Sequence, residues 1–423
     1  MSNAHSIAGG SPSIAEIREI VPPPAAGQPA GRLQSLDVYR GFIMVALAFN
    51  GFGLAATARN HLRASPDSSF WQAVGHQFEH VQWIGCTFWD LIQPSFMFMV
   101  GVSMAYSYVN RQRQGHSWAR MFGHACWRGC VLILLGIFLV SNSGPSTNWT
   151  LTNVLSQIGL GYPFLFLLWR RSLRTHVIAA AAILLGTWAL YSFYPHAGVD
   201  PAAGAPAVGV TAPWAQEHLA DVGPAWHKNA NVGHALDTWL LNLLPRREAF
   251  TFNSGGYHTL NALPSLATML FGLMCGELLR SGRSARRKFI VLVVAGLAGL
   301  ALGGLWHALG CPLVKRIWTP SWALYSTGWC CLILAALYGI VDLRQWRAWT
   351  FPLVVVGMNS IAIYCMGMLL RGWTAKTLQT HLGVDVFKFL GVENAPFVQA
   401  TMVGLLFWLA CWWMYRRKIF LRI

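Results

Sequence analysis

A histidine and an aspartate stand ten residues apart where an apolar segment begins, within the stretch from Phe78 to Gly101. His80 precedes the apolar run, and Asp90 and Pro94 open it. Ionisable side chains are costly in hydrocarbon, so a cluster of them at a membrane boundary marks a candidate functional site. Histidine has a reference pKa of about 6.5, which suits general-base chemistry at neutral pH. Asp90 could orient His80 or keep the entry to the apolar segment polar.

A metal site is the rival interpretation of the same region. His76 and His80 are four residues apart, which would place them on one side of a helix with Glu79 between them. The order His-Gln-Phe-Glu-His differs from the zincin pattern His-Glu-x-x-His, in which the glutamate is placed as the general base. The sequence specifies no third ligand, so we favour acid–base chemistry and expect no metal.

The composition is that of a membrane protein. The chain of 423 residues is 55% hydrophobic and 11% charged, whereas soluble proteins carry about 25% charged residues. Apolar runs near 20 residues recur, the length that crosses about 30 Å of hydrocarbon. We therefore predict an all-α, polytopic transmembrane helical bundle of about ten spans. The spans are expected over 39–58, 90–109, 126–140, 151–169, 177–194, 258–279, 289–309, 322–341, 351–370 and 397–415.

The positive charges are unevenly distributed between these spans. With the N-terminus in the cytoplasm, 21 of the 31 Lys and Arg residues lie in inner segments. Cytoplasmic segments of membrane proteins are enriched in Lys and Arg, so both termini are expected in the cytoplasm. The same bias explains the net charge of +16. Because the basic residues are dispersed between spans, we expect no nucleic-acid partner.

The segments outside the spans predict one domain. Residues 1–31 are rich in Pro, Ala and Gly, so we expect a disordered N-terminal tail before a transmembrane domain over 32–423. The outer loops over 60–89, 195–257 and 310–321 carry Trp, His and Asn, which suggests a recognition surface. The nine cysteines lie mostly within or beside spans and are not expected to form a disulfide framework, although pairing of Cys86 with Cys311 stays open.

Several polar side chains fall at membrane depth. Interhelical hydrogen bonds, worth about 0.6 kcal/mol each, explain Gln157 and Asn359 taken alone. Asn50, His80 and Asp90 come from one continuous stretch, and the first two spans can bring them to the same membrane face. These three residues are therefore better read as parts of a site. Gly-x-x-x-Gly pairs at 272/276 and 299/303 predict close helix packing.

Five segments together carry a family resemblance. They cover residues 32–41, 78–101, 261–279, 315–321 and 357–364. The second contains His-x-x-Trp-x-Gly and then Asp-Leu-x-x-Pro-x-Phe-x-Phe-x-x-Gly, the fourth reads Lys-x-x-Trp-Thr-x-Ser, and the fifth reads Gly-Met-Asn-Ser-x-x-x-Tyr. In this order and spacing the segments resemble the heparan-α-glucosaminide N-acetyltransferase family and its bacterial relatives. The chain departs from the family pattern at 156–157, at 256–259 and in the longer linker from Asn50 to His80. These departures bear on which acceptor the protein uses more than on the type of reaction.

The resemblance implies an acetyl-CoA-dependent N- or O-acetyltransferase in the cell inner membrane. It would move an acetyl group from cytoplasmic acetyl-CoA to an amino-sugar or other saccharide acceptor on the outer side, without a metal. His80 would deprotonate the acceptor or carry the acetyl group itself, and these alternatives stay open. Asn50, or backbone N–H groups, would donate a hydrogen bond to the thioester oxygen, and Asp90 would orient His80 or keep the entry to the second span polar.

The resemblance and the charge pattern also suggest binding residues. Basic residues expected on the inner face could hold the CoA phosphates, namely Arg40, Arg128, Arg283, Arg286 and Arg287, although the topology bias accounts for them equally well. Acceptor binding is assigned to Trp83, His258, Lys315, Trp318 and Asn359. The expected partners are the lipid bilayer, a saccharide or glycan acceptor, and a second copy in a homodimer.

Two other classes of protein remain as alternatives. A transporter of a small polar or glycan-related solute would show inverted repeats and paired broken helices, and no repeat between the halves is evident in the sequence. A non-catalytic membrane scaffold would not need polar groups gathered at one mouth.

Overall fold

A computed structural model describes residues 33–142, 144–195 and 198–421, so the predicted N-terminal tail lies outside the described part of the chain. This part is predominantly helical and forms no strand, in agreement with the all-α prediction. The helices are α1 (Gln34–Ala48), α2 (Leu54–Ala64), α3 (Ser69–Phe78), α4 (Ile92–Arg113), α5 (Trp118–Ser141), α6 (Val154–Leu168), α7 (Leu173–Phe193) and α8 (Ala212–Leu219). They continue with α9 (Val232–Asn242), α10 (Ala262–Arg280), α11 (Ala285–Ala308), α12 (Pro320–Leu337), α13 (Phe351–Met358), α14 (Ser360–Leu369), α15 (Arg371–Leu382) and α16 (Ala395–Arg416).

Six described helical segments are long and apolar enough to cross a membrane, and two bent pairs raise the number to eight. The bent pairs are Gln34–Ala48 with Asn50–Ala64, at 46°, and Phe351–Met358 with Ser360–Leu369, at 81°. Two other predicted spans correspond to α4, which is less apolar, and to α6, which has only 15 residues. The protein is thus a multi-helix membrane protein, and the count of ten stays a prediction.

Glycines let the central helices approach closely, as the Gly-x-x-x-Gly pairs predict. A β-carbon at Gly272 would overlap the backbone of Phe98, so α10 and α4 meet without an intervening side chain. Gly299 and Gly303 similarly face α12, where a β-carbon at Gly299 would lie 2.9 Å from the Cα of Gly328. Gln93 of α4 donates to Gln157 Oε1 of α6 at 3.1 Å, which confirms the interhelical interpretation of Gln157.

The first predicted span is broken in its middle rather than continuous. Asn50, Gly51, Phe52 and Gly53 all have positive φ angles, of 51°, 59°, 54° and 64°. A right-handed helix cannot continue through such a run, and the two glycines adopt it at little cost. A side chain at Gly53 would also overlap the backbone of Pro396 at the start of α16. The break presents Asn50 at a turn between α1 and α2.

Residues 198–258, here called the loop lobe, form a small body at one end of the bundle. Its buried core contains Val199, Val210, Ala215, Leu219 and Trp226, and it packs against Trp83 and Ile317 from other loops. The loop that carries His80 and the segment 310–319 are therefore held between the helix ends and the loop lobe. This end of the bundle is called the site end below.

Candidate functional site

His80 and Asp90 form a hydrogen-bonded pair at the site end. His80 follows the end of α3, and Asp90 lies in the short 3-10 helix Trp89–Leu91 that leads into α4. The Nδ1 atom of His80 is 2.7 Å from Asp90 Oδ1. The side chain of His80 is 38% exposed and that of Asp90 is 1% exposed. The pair therefore has one accessible member and one buried member, as a base and its orienting group require.

The loop between the two residues wraps around the Asp90 carboxylate. Asp90 Oδ2 accepts hydrogen bonds from the backbone N–H of Val81 at 3.2 Å and of Thr87 at 3.3 Å. The Thr87 hydroxyl lies 2.9 Å from the same oxygen. Several donors converging on one carboxylate favour its ionised form. Asp90 is thus held as an anion whose other oxygen faces His80.

Lys315 is the third member of the cluster, and it comes from the segment between α11 and α12. Its Nζ atom is 3.3 Å from Asp90 Oδ1 and 3.1 Å from His80 Nδ1. Its side chain is only 3% exposed. Thr319 fixes this segment, because its hydroxyl donates to Pro312 O at 2.7 Å and accepts from the Val314 N–H at 3.1 Å. A second tie is the Gly85 N–H, which donates to Leu313 O at 3.0 Å.

The surroundings shift the pKa values of His80 and Lys315 downward. Partial burial lowers the pKa of His80 from its usual value, and the Lys315 ammonium adds to this effect, while the hydrogen bond to Asp90 opposes it. Burial lowers the pKa of Lys315 to about 8, although Asp90 favours the charged form. At neutral pH the cluster therefore holds a neutral imidazole beside an ammonium–carboxylate pair.

This arrangement determines which imidazole nitrogen can react. The Asp90 contact at 2.7 Å is shorter than the Lys315 contact at 3.1 Å, so we assign the proton to Nδ1, which donates it to Asp90, and Nε2 keeps its lone pair. The Lys315 ammonium then lies beside Nδ1 without a hydrogen bond to it and donates to Asp90. No hydrogen bond reaches His80 Nε2 from the described ranges 33–142, 144–195 and 198–421. A nitrogen with a free lone pair on a side chain that is 38% exposed can take a proton from an incoming nucleophile or can itself attack an acyl group.

Trp83 and Arg316 tie the cluster to the loop lobe. Trp83 is buried and donates its indole N–H to Trp226 O at 3.0 Å. Arg316 donates to Gly255 O at 2.8 Å and to Val81 O at 3.3 Å. Trp83, predicted to bind acceptor, is therefore an anchor of the His80 loop in this structure.

The structure does not bring three other predicted acceptor residues to His80. His258 is buried beside Asp237, with Nδ1 3.7 Å from its Oδ2. Trp318 is buried and donates to Thr268 Oγ1 at 3.3 Å. Asn359 accepts from the Leu421 N–H at 3.2 Å and donates to Ile419 O at 3.2 Å, just after α16.

Asn50 lies near the cluster but is not hydrogen-bonded to it. A β-carbon at the adjacent Gly51 would lie 3.2 Å from the Trp89 ring. The ring centroids of Trp89 and His80 are 6.3 Å apart, so Trp89 is a neighbour of both the turn and the imidazole. Asn50 Oδ1 accepts from Arg371 at 2.9 Å. The turn and the His80 cluster thus flank one aromatic ring.

The predicted CoA-binding arginines have different surroundings. Arg40 contacts Asp37 at 3.2 Å and donates to Ser103 at 3.1 Å. Arg128 donates to the Tyr162 hydroxyl at 3.1 Å and stacks over its ring. Arg283 lines a cavity of about 420 Å³ between α10, α11 and α12. Arg286 and Arg287 are exposed in the first turn of α11.

Sequence reasoning missed the contacts made by Lys315 and the roles of Thr87, Arg316 and Arg371. Lys315 was detectable through its Lys-x-x-Trp-Thr-x-Ser motif but was expected to bind acceptor rather than Asp90. Within the described residues no group of three His, Cys, Asp or Glu side chains is arranged to hold a metal ion. All nine cysteines are described as free thiols, so Cys86 and Cys311 are not paired.

Comparison with known proteins identifies two relatives that match most of this chain. Heparan-α-glucosaminide N-acetyltransferase of Homo sapiens is 24% identical over 443 residues, which covers 93% of this chain and 60% of the relative. The protein of the same name from Mus musculus is 23% identical over 465 residues, covering 98% of this chain and 64% of the relative. The chain thus spans less than two thirds of the length of the relatives it matches. No protein-family model matches it. The two similarities support a distant family relationship and confirm the resemblance noted in the sequence.

Proposed function

We propose that this protein is an integral membrane acetyltransferase. It would take the acetyl group from acetyl-CoA on the cytoplasmic side and transfer it to an amine or hydroxyl of an amino-sugar or other saccharide on the opposite side. The observation that carries the proposal is the His80 imidazole, which is bound through Nδ1 to a buried Asp90 carboxylate and belongs to a side chain that is 38% exposed. The distant relationship to two proteins named as N-acetyltransferases supports it.

The cluster can perform the proton transfers of acetyl transfer. The acceptor nitrogen or oxygen attacks the thioester carbonyl carbon while its proton passes to Nε2 of His80. The carbon–sulfur bond then breaks, and the same proton is returned to the CoA thiolate. Asp90 stabilises the imidazolium that forms between these steps, as a carboxylate does in a catalytic triad. Attack by Nε2 itself, followed by transfer to the acceptor, uses the same atoms in two steps.

The opposite end of the bundle has features suited to the donor. The cavity lined by Arg283 follows α11 from Val291 to Leu302, about 16 Å at 1.5 Å per residue. Its walls are mostly apolar, and Thr327 Oγ1 is a buried polar atom without a partner among the described residues. A slender thioester arm with a few amide groups would fit such walls, and a basic mouth suits its phosphates.

The proposal includes the topology predicted from the sequence. Both termini would be cytoplasmic, about ten spans would cross the inner membrane, and His80 would face the outer side. Residues Arg283, Arg286 and Arg287 lie at the C-terminal end of α10, whereas Lys315 and Arg316 lie at its N-terminal end, where Asn261 donates to Arg316 O at 2.7 Å. The 19 residues of α10 separate these ends by about 28 Å, which is close to a membrane thickness.

A transporter remains the second candidate because two spans are broken. The breaks lie at Asn50–Gly53, with a bend of 46°, and at Asn359, with a bend of 81°. Broken helices at membrane depth are a feature of many transporters. A transporter would carry its solute across the membrane of proteoliposomes without consuming acetyl-CoA. Solute uptake in the absence of acetyl-CoA therefore distinguishes a transporter from an acetyltransferase.

The test uses the purified full chain in lipid nanodiscs with acetyl-CoA and glucosamine. Thiol release and mass-spectrometric detection of acetylated sugar should both occur with the wild type. His80→Ala should bind acetyl-CoA but lose about 10²–10⁴-fold in turnover, the usual contribution of a positioned general base. The control is His76→Ala, an exposed histidine on α3 in the same segment, which should lose much less. Wild-type turnover by folded His80→Ala would remove His80 from the mechanism, and His258 would be tested next.

A further inference from the structure

Arg371, the first residue of α15, has surroundings that are unusual for an arginine. Its guanidinium donates to Asn50 Oδ1 at 2.9 Å, to Leu47 O at 2.8 Å and to Ala48 O at 3.4 Å. No carboxylate forms an ion pair with it in the described part of the chain, and burial lowers its pKa. Its Nε is buried without a partner among the same residues. The charge is thus retained at this position without an acidic partner.

The contact with Arg371 fixes which end of the Asn50 side-chain amide faces the guanidinium. A guanidinium has only N–H donors, so the Asn50 atom that faces it must be the oxygen. The Nδ2 group is left on the other side of the amide, and no described residue accepts a hydrogen bond from it. Asn50 has a φ of 51°, a conformation that asparagine tolerates better than most residues. Both the backbone and the amide of Asn50 are therefore held in one orientation.

We propose that Arg371 is a positioning residue that makes Asn50 an obligatory hydrogen-bond donor. This inference rests on the proposed acetyl transfer, in which negative charge develops on the thioester oxygen. A donor fixed before the reaction stabilises that charge, whereas an amide free to flip could present its oxygen, which would repel the developing charge. Arg371 acts through Asn50 and does not itself touch the reacting atoms.

The space around the amide is consistent with this role. Asn50 and Arg371 line a cavity of about 120 Å³ together with Gly53, Gln399 and other residues of α2 and α16. The cavity adjoins the turn that packs on Trp89, whose ring is next to His80. A small polar group that enters this cavity therefore meets the Asn50–Arg371 pair.

The competing explanation is that Arg371 only stabilises the C-terminal end of α1. Its contacts with Leu47 O and Ala48 O satisfy carbonyl groups left unpaired where that helix ends. In that case its removal would lower the melting temperature and leave kcat per folded molecule unchanged. The two explanations therefore predict different results for the same variants.

The experiment compares Arg371→Gln with Arg371→Glu in nanodiscs. Glutamine keeps an N–H donor toward Asn50, whereas the nearly isosteric glutamate offers only acceptors. Arg371→Glu should lower kcat about 10²-fold, the effect of losing one such donor, with little change in the KM for acetyl-CoA. Arg371→Gln should retain clearly more turnover than Arg371→Glu. Lys376→Glu, the same charge change at an exposed site of α15, serves as the control.

A double-mutant cycle tests whether Arg371 acts through Asn50. In an Asn50→Ala background, Arg371→Glu should cause no further loss of kcat, because residues that act as one unit are not additive. A loss of the same factor in that background would overturn the proposal. So would equal kcat values for Arg371→Gln and Arg371→Glu.

A measurement independent of acetyl transfer separates this proposal from the function on which it rests. Asn50→Asp should have a higher melting temperature than Asn50→Ala, because the new carboxylate would pair with Arg371. That difference should vanish when Arg371 is also changed to Gln. If the wild type shows no acetyl transfer but this dependence holds, the proposed function fails while the Arg371–Asn50 geometry stands. If the melting temperatures show no dependence on Arg371, the positioning proposal is wrong.

Discussion

The indole N–H of Trp83 donates to the backbone oxygen of Trp226 at 3.0 Å, and this bond joins the loop that carries His80 to the loop lobe. Trp83 is three residues from His80 and 1% exposed. Its ring also meets Trp214 edge-on, with centroids 5.8 Å apart. The position of the catalytic candidate therefore depends on a body that is distant from it in sequence.

Trp83→Phe should loosen the His80 loop without emptying the core. The substitution keeps most of the ring but leaves the Trp226 carbonyl unpaired, which costs about 1–3 kcal/mol. We expect a lower melting temperature and lower kcat, with unchanged acetyl-CoA binding. Trp239→Phe, at a position 63% exposed, is the matched control. Wild-type melting and turnover in Trp83→Phe would show that the tie does not position the loop.

Asp90→Asn should impair both catalysis and stability. The change removes the charge that orients His80 Nδ1–H and leaves the Lys315 ammonium buried without its counter-ion. Breaking a buried ion pair by removing one partner costs about 3–5 kcal/mol. We expect a marked fall in melting temperature and a loss of turnover in the folded fraction comparable to that of His80→Ala. Asp385→Asn, which breaks the exposed Lys388–Asp385 pair, should change neither quantity.

The pH dependence of kcat/KM should be bell-shaped. Activity should rise as His80 loses its proton, and the lowered pKa places this limb below the usual value of about 6.5. It should fall above pH about 8, where Lys315 loses its charge and the buried Asp90 carboxylate loses its counter-ion. Lys315→Met should abolish the alkaline limb and move the acidic limb upward, because removing the ammonium raises the pKa of His80. An acidic limb that stays in place would contradict the contact between the two residues.

The lowered pKa of Lys315 also makes the free energy of folding depend on pH. Between pH about 8 and its unfolded value of about 10.5, the unfolded chain binds the proton that the folded chain has lost. Burial of Lys315 therefore opposes folding below pH 8, and this cost is relieved as the pH rises through that window. Thermal melts of wild type and Lys315→Met across the window report the difference.

Neutralising Arg283, Arg286 and Arg287 together to Gln should weaken donor binding. Charge attraction to CoA phosphates is screened by salt, so the KM for acetyl-CoA should rise more than kcat falls, and its salt dependence should decrease. Arg416→Gln with Arg417→Gln, at the end of α16, controls for lost charge on the same side. Unchanged kinetics in a correctly inserted triple variant would leave these arginines with a topological role alone.

The sequence by itself determined the membrane class, the all-α architecture and the positions of the long apolar helices. These properties depend on hydropathy over about 20 neighbouring residues and on close glycine spacing, which are local patterns. The His80–Asp90 pair was predictable for the same reason, since ten residues and one loop join its members.

Only the tertiary structure decided which distant residues complete the site. Lys315 meets Asp90 across 225 residues, and Arg371 meets Asn50 across 321 residues. The break at Asn50–Gly53 depends on backbone packing against α16, and His258 is directed to Asp237 rather than to His80. Hydropathy gives the length of a helix but not its neighbour, because lipid and protein interiors are similarly apolar and packing alone selects the partner.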